Sequence, residues 1–216
     1  MGGNYKIQQG DHLSKLADAS GFSDYHTIWD HPNNAALKQQ RQNPNVLFPG
    51  DILYIPDREE REESRSTDQK HTFKKKKPDL KLRLVLEDVY EKPVTNASCL
   101  LKLGSDMKTV TTDGNGKIEE DIKPDLHDAM LTIQGDETPF QGSQISIKIG
   151  DLDPVTEVSG QTARLNNLGY CAGAIDQPDA DAFESAVEEF QCDNNLTVDG
   201  ICGPQTQAKL KQVHGC

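Results

Sequence analysis

Apolar residues change their spacing twice along this chain, and a chain whose period changes cannot close around one hydrophobic core. Between Tyr5 and Pro56, helical runs lie between two short β-forming stretches; from Asp79 to Gly150 the spacing is two; from Val158 it is helical again. The 216 residues therefore read as three small units, each of roughly 50 to 75 residues and short of core. The expected boundaries are 4–57, 79–150 and 158–216, with 58–78 as a linker. That linker runs Arg58-Glu59-Glu60-Arg61-Glu62-Glu63-Ser64-Arg65 and later Lys74-Lys75-Lys76-Lys77. Charges of both signs and no apolar face mark it as solvated chain.

Composition narrows the partners. A net charge of −12 disfavours nucleic acid and anionic bilayers, since both present negative surfaces. No apolar run approaches the roughly 20 residues that span a membrane, so neither nucleic acid nor membrane insertion is expected. Met1-Gly2-Gly3 leads straight into the first strand and leaves no room for a secretory leader. Two origins fit that beginning: export by a machine that needs no cleaved leader, or a leader replaced by these three residues.

In the first unit, Tyr5-Lys6-Ile7-Gln8 and Ile52-Leu53-Tyr54-Ile55 are two strands that could pair. Gly10-Asp11 and Pro49-Gly50-Asp51 reverse the chain, with Asp11 placed to cap the following helix. Leu13, Leu16 and Ala17 form one helical face, and Tyr25, Ile28 and Trp29 a second. At that spacing Trp29 reads as core before it reads as a sugar platform. A third short helix is expected from Asn34 to Arg41, and His12, His26 and His31 read as surface or capping residues. The two ends, Tyr5 to Ala17 and Asn43 to Pro56, resemble a LysM domain, a βααβ module that binds N-acetylglucosamine-containing glycans. Asp30 to Arg41 lengthens the usual connection. The resemblance implies a glycan edge made by Gly10, Asp11, His12 and Leu13 together with Asn43, Pro44, Asn45 and Val46.

The second unit alternates: Leu80, Leu82, Leu84 and Leu86, then Leu101 and Leu103, Thr109 to Thr111, Ile118 to Ile122, Met130 to Ile133, and Ile145, Ile147 and Ile149. These are short strands of an all-β sandwich. Asp113-Gly114-Asn115-Gly116 is a hairpin signal. One Asp and one Asn without further carboxylates do not make a calcium loop. Pro93 to Ala97 with Thr112 to Ile118 resembles a transthyretin/Ig-like β-sandwich, which implies a spacer or interaction role. Cys99, in an apolar run, reads as a buried small hydrophobe.

The third unit predicts helices over Thr162–Leu168, Asp181–Cys192 and Pro204–Val213. Ile175 to Ala182 is echoed 23 residues later by Val198 to Gln205, each copy leading into an amphipathic helix. With Arg164 to Tyr170 and Val187 to Gln191, this echo resembles the three-helix peptidoglycan-binding domain. The first copy departs from that pattern, with Gln177 at the turn glycine and Ala180-Asp181 in place of Gly-Pro. Cys171, Cys192, Cys202 and Cys216 crowd this unit, no two closer than ten positions, which disfavours the Cys-x₂₋₄-Cys spacing of zinc. Four cysteines allow three pairings; the expected one is Cys171 with Cys216 and Cys192 with Cys202.

The whole therefore reads as an α+β multidomain chain with two wall-binding modules. It offers no nucleophile with its base, no metal cluster and no acid pair. The expected function is non-catalytic binding of peptidoglycan at the cell envelope or periplasm, with no cofactor and no metal. The module order is similar to LysM proteins of type VI and other contractile secretion systems, which implies an accessory or cargo role. A secretion-system or effector protein is then the second expected partner, and an adaptor for an effector or spike the alternative function.

Overall fold

A computed structural model describes residues 2–58, 64–72, 80–88, 90, 92–134 and 142–216. The linker's Glu59 to Glu63 and its Lys74 to Lys77 lie outside the described residues. The chain is mixed helix and sheet, with every strand pairing antiparallel.

In the first module β1 (Gly3–Lys6) pairs with β2 (Ile52–Ile55), Gly3 opposite Ile55 and Lys6 opposite Ile52. Between them lie α1 (Leu13–Ala19), α2 (His26–Trp29), a 3-10 turn (Pro32–Asn34) and α3 (Ala35–Arg41). Leu13, Leu16, Ile28, Leu53 and Trp29 form the core, and Trp29, 4% exposed, belongs to it. The extra segment is tied in by two polar anchors. Asn34, 1% exposed, donates from Nδ2 to the Ile28 and Tyr54 carbonyls at 2.7 and 2.8 Å and accepts the Tyr54 N–H at 2.7 Å. Arg41 makes a bidentate pair with Asp51, at 2.8 and 2.7 Å, both side chains nearly buried. Each anchor joins the segment to the end or the entry of β2, so lengthening the connection does not loosen the sheet.

The cap of α1 differs from expectation. His12, not Asp11, is the N-cap, its Nδ1 accepting the Lys15 N–H at 3.4 Å. Asp11 turns back to the strand, accepting from Tyr5 Oη (2.8 Å), the Gln8 N–H (3.0 Å) and Lys15 Nζ (3.0 Å). A carboxylate offered three donors on one side satisfies more groups there than at the cap.

The second module has two sheets over one core. One pairs β3 (Lys81–Val85) with β6 (Lys117–Asp121); the other runs β5 (Asp106–Thr111), β4 (Ser98–Leu103), β7 (Asp128–Ile133), β8 (Gln144–Lys148). Cys99, Leu101 and Leu131 are fully buried between them, with Leu82, Leu84 and Ile118 contributed by the smaller sheet. The hairpin expected at Asp113 to Gly116 is not formed as a hairpin. Asp113 Oδ1 does accept the Asn115 and Lys117 N–H groups, but β5 pairs with β4 while β6 pairs with β3, so the turn carries the chain from one sheet to the other. A local turn fixes the reversal, not the partner of the strands it joins.

The third module packs α4 (Val158–Asn167), α5 (Ala180–Asp193) and α6 (Pro204–His214) around Leu165, Val187, Phe190 and Leu210. Arg164 is buried beneath it, its guanidinium donating to the Cys216, Asp153 and Gly160 carbonyls at 2.7 to 2.9 Å. Gly160 is required there, since a Cβ would stand 2.1 Å from the Pro154 carbonyl oxygen.

Candidate functional site

The eight residues of the expected glycan edge fall into two unlike environments. Gly10, Asp11, His12 and Leu13 are all buried. The second module covers Gly10 and His12, whereas Leu13 is buried in the first module's own core: a Cβ on Gly150 would lie 3.0 Å from both the Gly10 carbonyl oxygen and His12 Cδ2, and Gln9 Nε2 donates to the Asp151 carbonyl at 3.3 Å. His12 Nε2 is buried without a hydrogen-bond partner. Burial, helped by the charge of Lys15 and by His127, pushes the His12 imidazole below its ordinary value, and the nearby Pro124 carbonyl opposes this weakly. Burial alone would raise the Asp11 carboxyl, yet the Gln8 N–H, Lys15 and Tyr5 together hold it low. Of the two roles expected for the histidines, His12 takes the capping one, although buried; His26 is exposed and His31 accepts the Asn33 N–H as a cap.

In the second half of the edge Asn43, Pro44 and Asn45 stay accessible. Asn43 Oδ1 accepts the Asn45 N–H at 2.9 Å and its carbonyl accepts the Val46 N–H, which shapes a tight turn with Asn45 outermost and Val46 in the interior. Among the described residues no hydrogen bond links 43–46 to 10–13.

A second site lies in the third module and was not singled out by residue from the sequence. A cavity of about 430 Å³ opens between the start of α4, the start of α5 and the turn before α6. Val158 and Thr162 line one wall, Asp179, Ala180, Phe183 and Glu184 the other, and Gly200 and Ile201 close the end. Asp179 is the N-cap of α5, its Oδ1 accepting the Asp181 and Ala182 N–H groups at 3.1 Å. Glu184 lies along Gly200, where a Cβ would meet its Cγ at 2.7 Å. Gly200 also has φ +67°, so the turn needs glycine on both counts.

Buried Gln191 holds that turn from below. Its Oε1 accepts the Asp199 and Gly200 N–H groups at 2.9 and 3.1 Å; its Nε2 faces Asp199 Oδ1, the Ile201 carbonyl and Thr206 Oγ1 at 2.8 to 3.0 Å. The Ile201 N–H and Gln191 in turn hold the Asp199 carboxyl below its usual range. Ile201, with its backbone fixed, stands 66% exposed at the rim. The signal for this groove was in the sequence: it forms where the two echoing turns, 175–182 and 198–205, face each other.

The two expected disulfides are not formed; all five cysteines are free. Cys171 and Cys192 are exposed, whereas Cys202 packs against the helical core, where burial pushes its thiol up to about 11. Cys216 Sγ sits 3.2 Å from His214 Nδ1, and Asn167 Nδ2 approaches His214 Nε2 at 3.1 Å. Burial pushes the Cys216 thiol up and His214 down, which keeps the pair uncharged. Among the described residues no group of three or more His, Cys, Asp or Glu could hold a metal ion.

Three helices about a small apolar centre, with a groove between two related turns, define a compact helical binding module. Residues 158–210 match the family described as "Putative peptidoglycan binding domain"; the third module is thus a peptidoglycan-binding domain, and the first two modules lie outside the match. Neither a curated protein nor a solved structure matches the chain. A peptidoglycan-binding domain fits a cell-envelope location, and no helix among the described residues is long and apolar enough to cross a membrane.

Proposed function

We propose that this chain binds peptidoglycan at the cell envelope without cleaving it, with the third module as its principal contact. The observation that carries this is the family match over 158–210, which covers the module containing the open groove. The LysM-like pattern of the first module supports a second contact, in which the accessible turn Asn43 to Val46 meets N-acetylglucosamine and Gly10 to Leu13 joins it once the second module moves aside. Two weak sites on one chain raise overall affinity by about 10²- to 10⁴-fold when both reach one polymer. The non-catalytic reading is supported by the burial that lowers His214 and raises Cys216, keeping both neutral, and by the ion pairing of surface carboxylates such as Glu119, which Lys117, Lys81 and Arg83 hold down at about 2. The order of modules supports the finer role, an accessory or cargo protein of a contractile secretion system.

One observation favours the adaptor reading. Lys102 on β4 stands between Met107 on β5 and Met130 on β7, and both methionines are exposed, which gives the four-stranded sheet a mixed row of two apolar side chains and one cation that a protein partner could cover. Incubating the full chain with purified sacculi tests both. Co-sedimentation without release of soluble wall fragments is expected; release of fragments would make the chain an enzyme, and a chain left in the supernatant would favour the adaptor.

A further inference from the structure

We infer that the second module is an autoinhibitory cover over the first module's glycan edge, latched by an uncharged His12 and released when that ring takes a proton. This rests on the glycan reading of Gly10 to Leu13 and names what regulates that edge.

Two glycines let the modules meet backbone to backbone. Gly150, at φ +87°, packs against the Gly10 carbonyl and the His12 ring with no room for a side chain. Gly10 in turn faces the second module: a Cβ there would lie 3.3 Å from Asp151 Oδ1 and 3.9 Å from His127 Nδ1. The hydrogen bond across this seam, from Gln9 to the Asp151 carbonyl, is long at 3.3 Å and exposed. Each module keeps a hydrophobic core of its own. The seam can therefore open without unfolding either side.

His12 is the part of the contact that cannot take a proton in place. Its Nδ1 accepts the Lys15 N–H as the cap of α1, so the neutral ring carries its proton on Nε2. That nitrogen is buried and, among the described residues, has no hydrogen-bond partner. A second proton must go to Nδ1, where it would point at the Lys15 N–H and break the cap. The ring would have to turn outward, and Gly150 blocks it.

The charges around the ring oppose the proton as well. Lys15 Nζ lies 3.3 Å from the Gly10 carbonyl and 3.0 Å from Asp11 Oδ1, and His127 stands across the seam. Two acids face them. Asp11 is already shared among Tyr5, Gln8 and Lys15, while Asp151 lies at Gly10 with Lys148 as a neighbour. Lys148 itself pairs with Asp128, and Lys123, beside the nearby Pro124, with Asp106. Burial, Lys15 and His127 thus outweigh the Pro124 carbonyl and Asp11 in keeping His12 neutral. Only the uncovered form gives the charged ring water, so acid favours that form.

The test follows chitotetraose binding to the full chain by amide shifts at pH 7.5 and pH 5, with hydrogen exchange at Gly10 to Leu13 reporting whether the cover is off. The native chain should show shifts at Gly10 and Leu13 at pH 5 but not at pH 7.5, with affinity rising by about threefold or more as the open form is populated. Gly150→Val should bind at pH 7.5 as tightly as the native chain does at pH 5, and lose the pH dependence. Gln9→Ala, which enters neither core, should raise the pH 7.5 affinity in the same direction by less. Equal native affinity at both pH values, chitotetraose shifts at Gly10 while exchange there is still slow, or the same pH dependence in Gly150→Val would each overturn the inference. Fast exchange without any chitotetraose shift would remove the glycan reading of the edge and the inference with it, leaving sedimentation with sacculi through the third module intact.

Discussion

The loop after β1 and the groove beside α5 are made from the same ingredients: a glycine at positive φ, a carboxylate, and the first turn of a helix. Gly10, Asp11 and α1 supply them in the first case; Gly200, Asp179 and α5 in the second. Yet Asp11 is consumed by Tyr5, Gln8 and Lys15 and its neighbours Gly10 and His12 are roofed by Gly150, while Asp179 keeps an unused oxygen beside an open cavity. A turn motif fixes where backbone and carboxylate point. Whether a ligand can reach them depends on what the rest of the chain lays over them.

The largest effect should come from the support of the open site. Gln191→Leu keeps the volume of the side chain but leaves the N–H groups of Asp199 and Gly200 without their partner, while the Ile201 carbonyl keeps the Gly203 N–H. Stranding buried polar groups costs roughly 1 to 3 kcal/mol for each group that water cannot reach, so a loss of about 2 to 3 kcal/mol is expected. Thermal unfolding of the third module, read by Tyr170, should show it. Hydrogen exchange at Gly10 to Leu13 should stay unchanged. If exchange there quickens too, the two sites are coupled and the comparison between them fails.

The covered site should respond to its roof. Gly150→Val places a Cβ 3.0 Å from the Gly10 carbonyl oxygen and His12 Cδ2 and forces a branched residue to φ +87°. A strained backbone of this kind costs about 1 to 3 kcal/mol, and separating the two modules relieves the collision though not the φ strain. Carbethoxylation of His12 should become faster in the variant. If Gly10 to Leu13 belong to a glycan edge, sacculus binding should rise at the same time; unchanged binding with an uncovered His12 would assign the contact to Asn43–Val46 or to the groove alone.

Much of this was legible beforehand, and the misses share a cause. Strand pairing in the first module, Trp29 in the core, the buried Cys99 and three C-terminal helices all follow from local periodicity, which depends on one element and its nearest neighbour. The helices begin earlier or end later than expected by one to four residues, because caps such as Glu157 and Asp179 lie outside the apolar repeat. Asn34 and Gln191 were invisible as anchors: a polar residue reads as surface until the fold sets buried backbone groups around it. The turn at Asp113 was recognised but its strands were given to each other, since the choice of sheet partner is a long-range matter. The covering of Gly10 and His12 was missed for the same reason, being a contact between modules more than 110 residues apart in sequence.

The smallest effect is one of pH, and it separates the two sites by chemistry. His12 is held neutral below its ordinary 6.5 by burial, by Lys15 and by His127, against the weaker pull of the Pro124 carbonyl and Asp11. Asp151 packs over Gly10 on the same side. A base whose folded value is depressed favours the folded form while neutral; its contribution is complete above about 6.5 and is lost as the pH falls through that value toward the folded one, because only the unfolded or uncovered form readily takes the proton. His214 is depressed by burial and by Arg164 and weakens the third module in the same window, so whole-chain melting cannot isolate the loop. Local exchange can. Between pH 7.5 and 5, after correction for intrinsic rates, protection at Gly10 to Leu13 should fall in the native chain. It should fall less in His12→Asn, which retains an N-cap acceptor but nothing to protonate. An identical fall in both would show that acid uncovers the loop without protonating His12 and that His12 merely fills the seam.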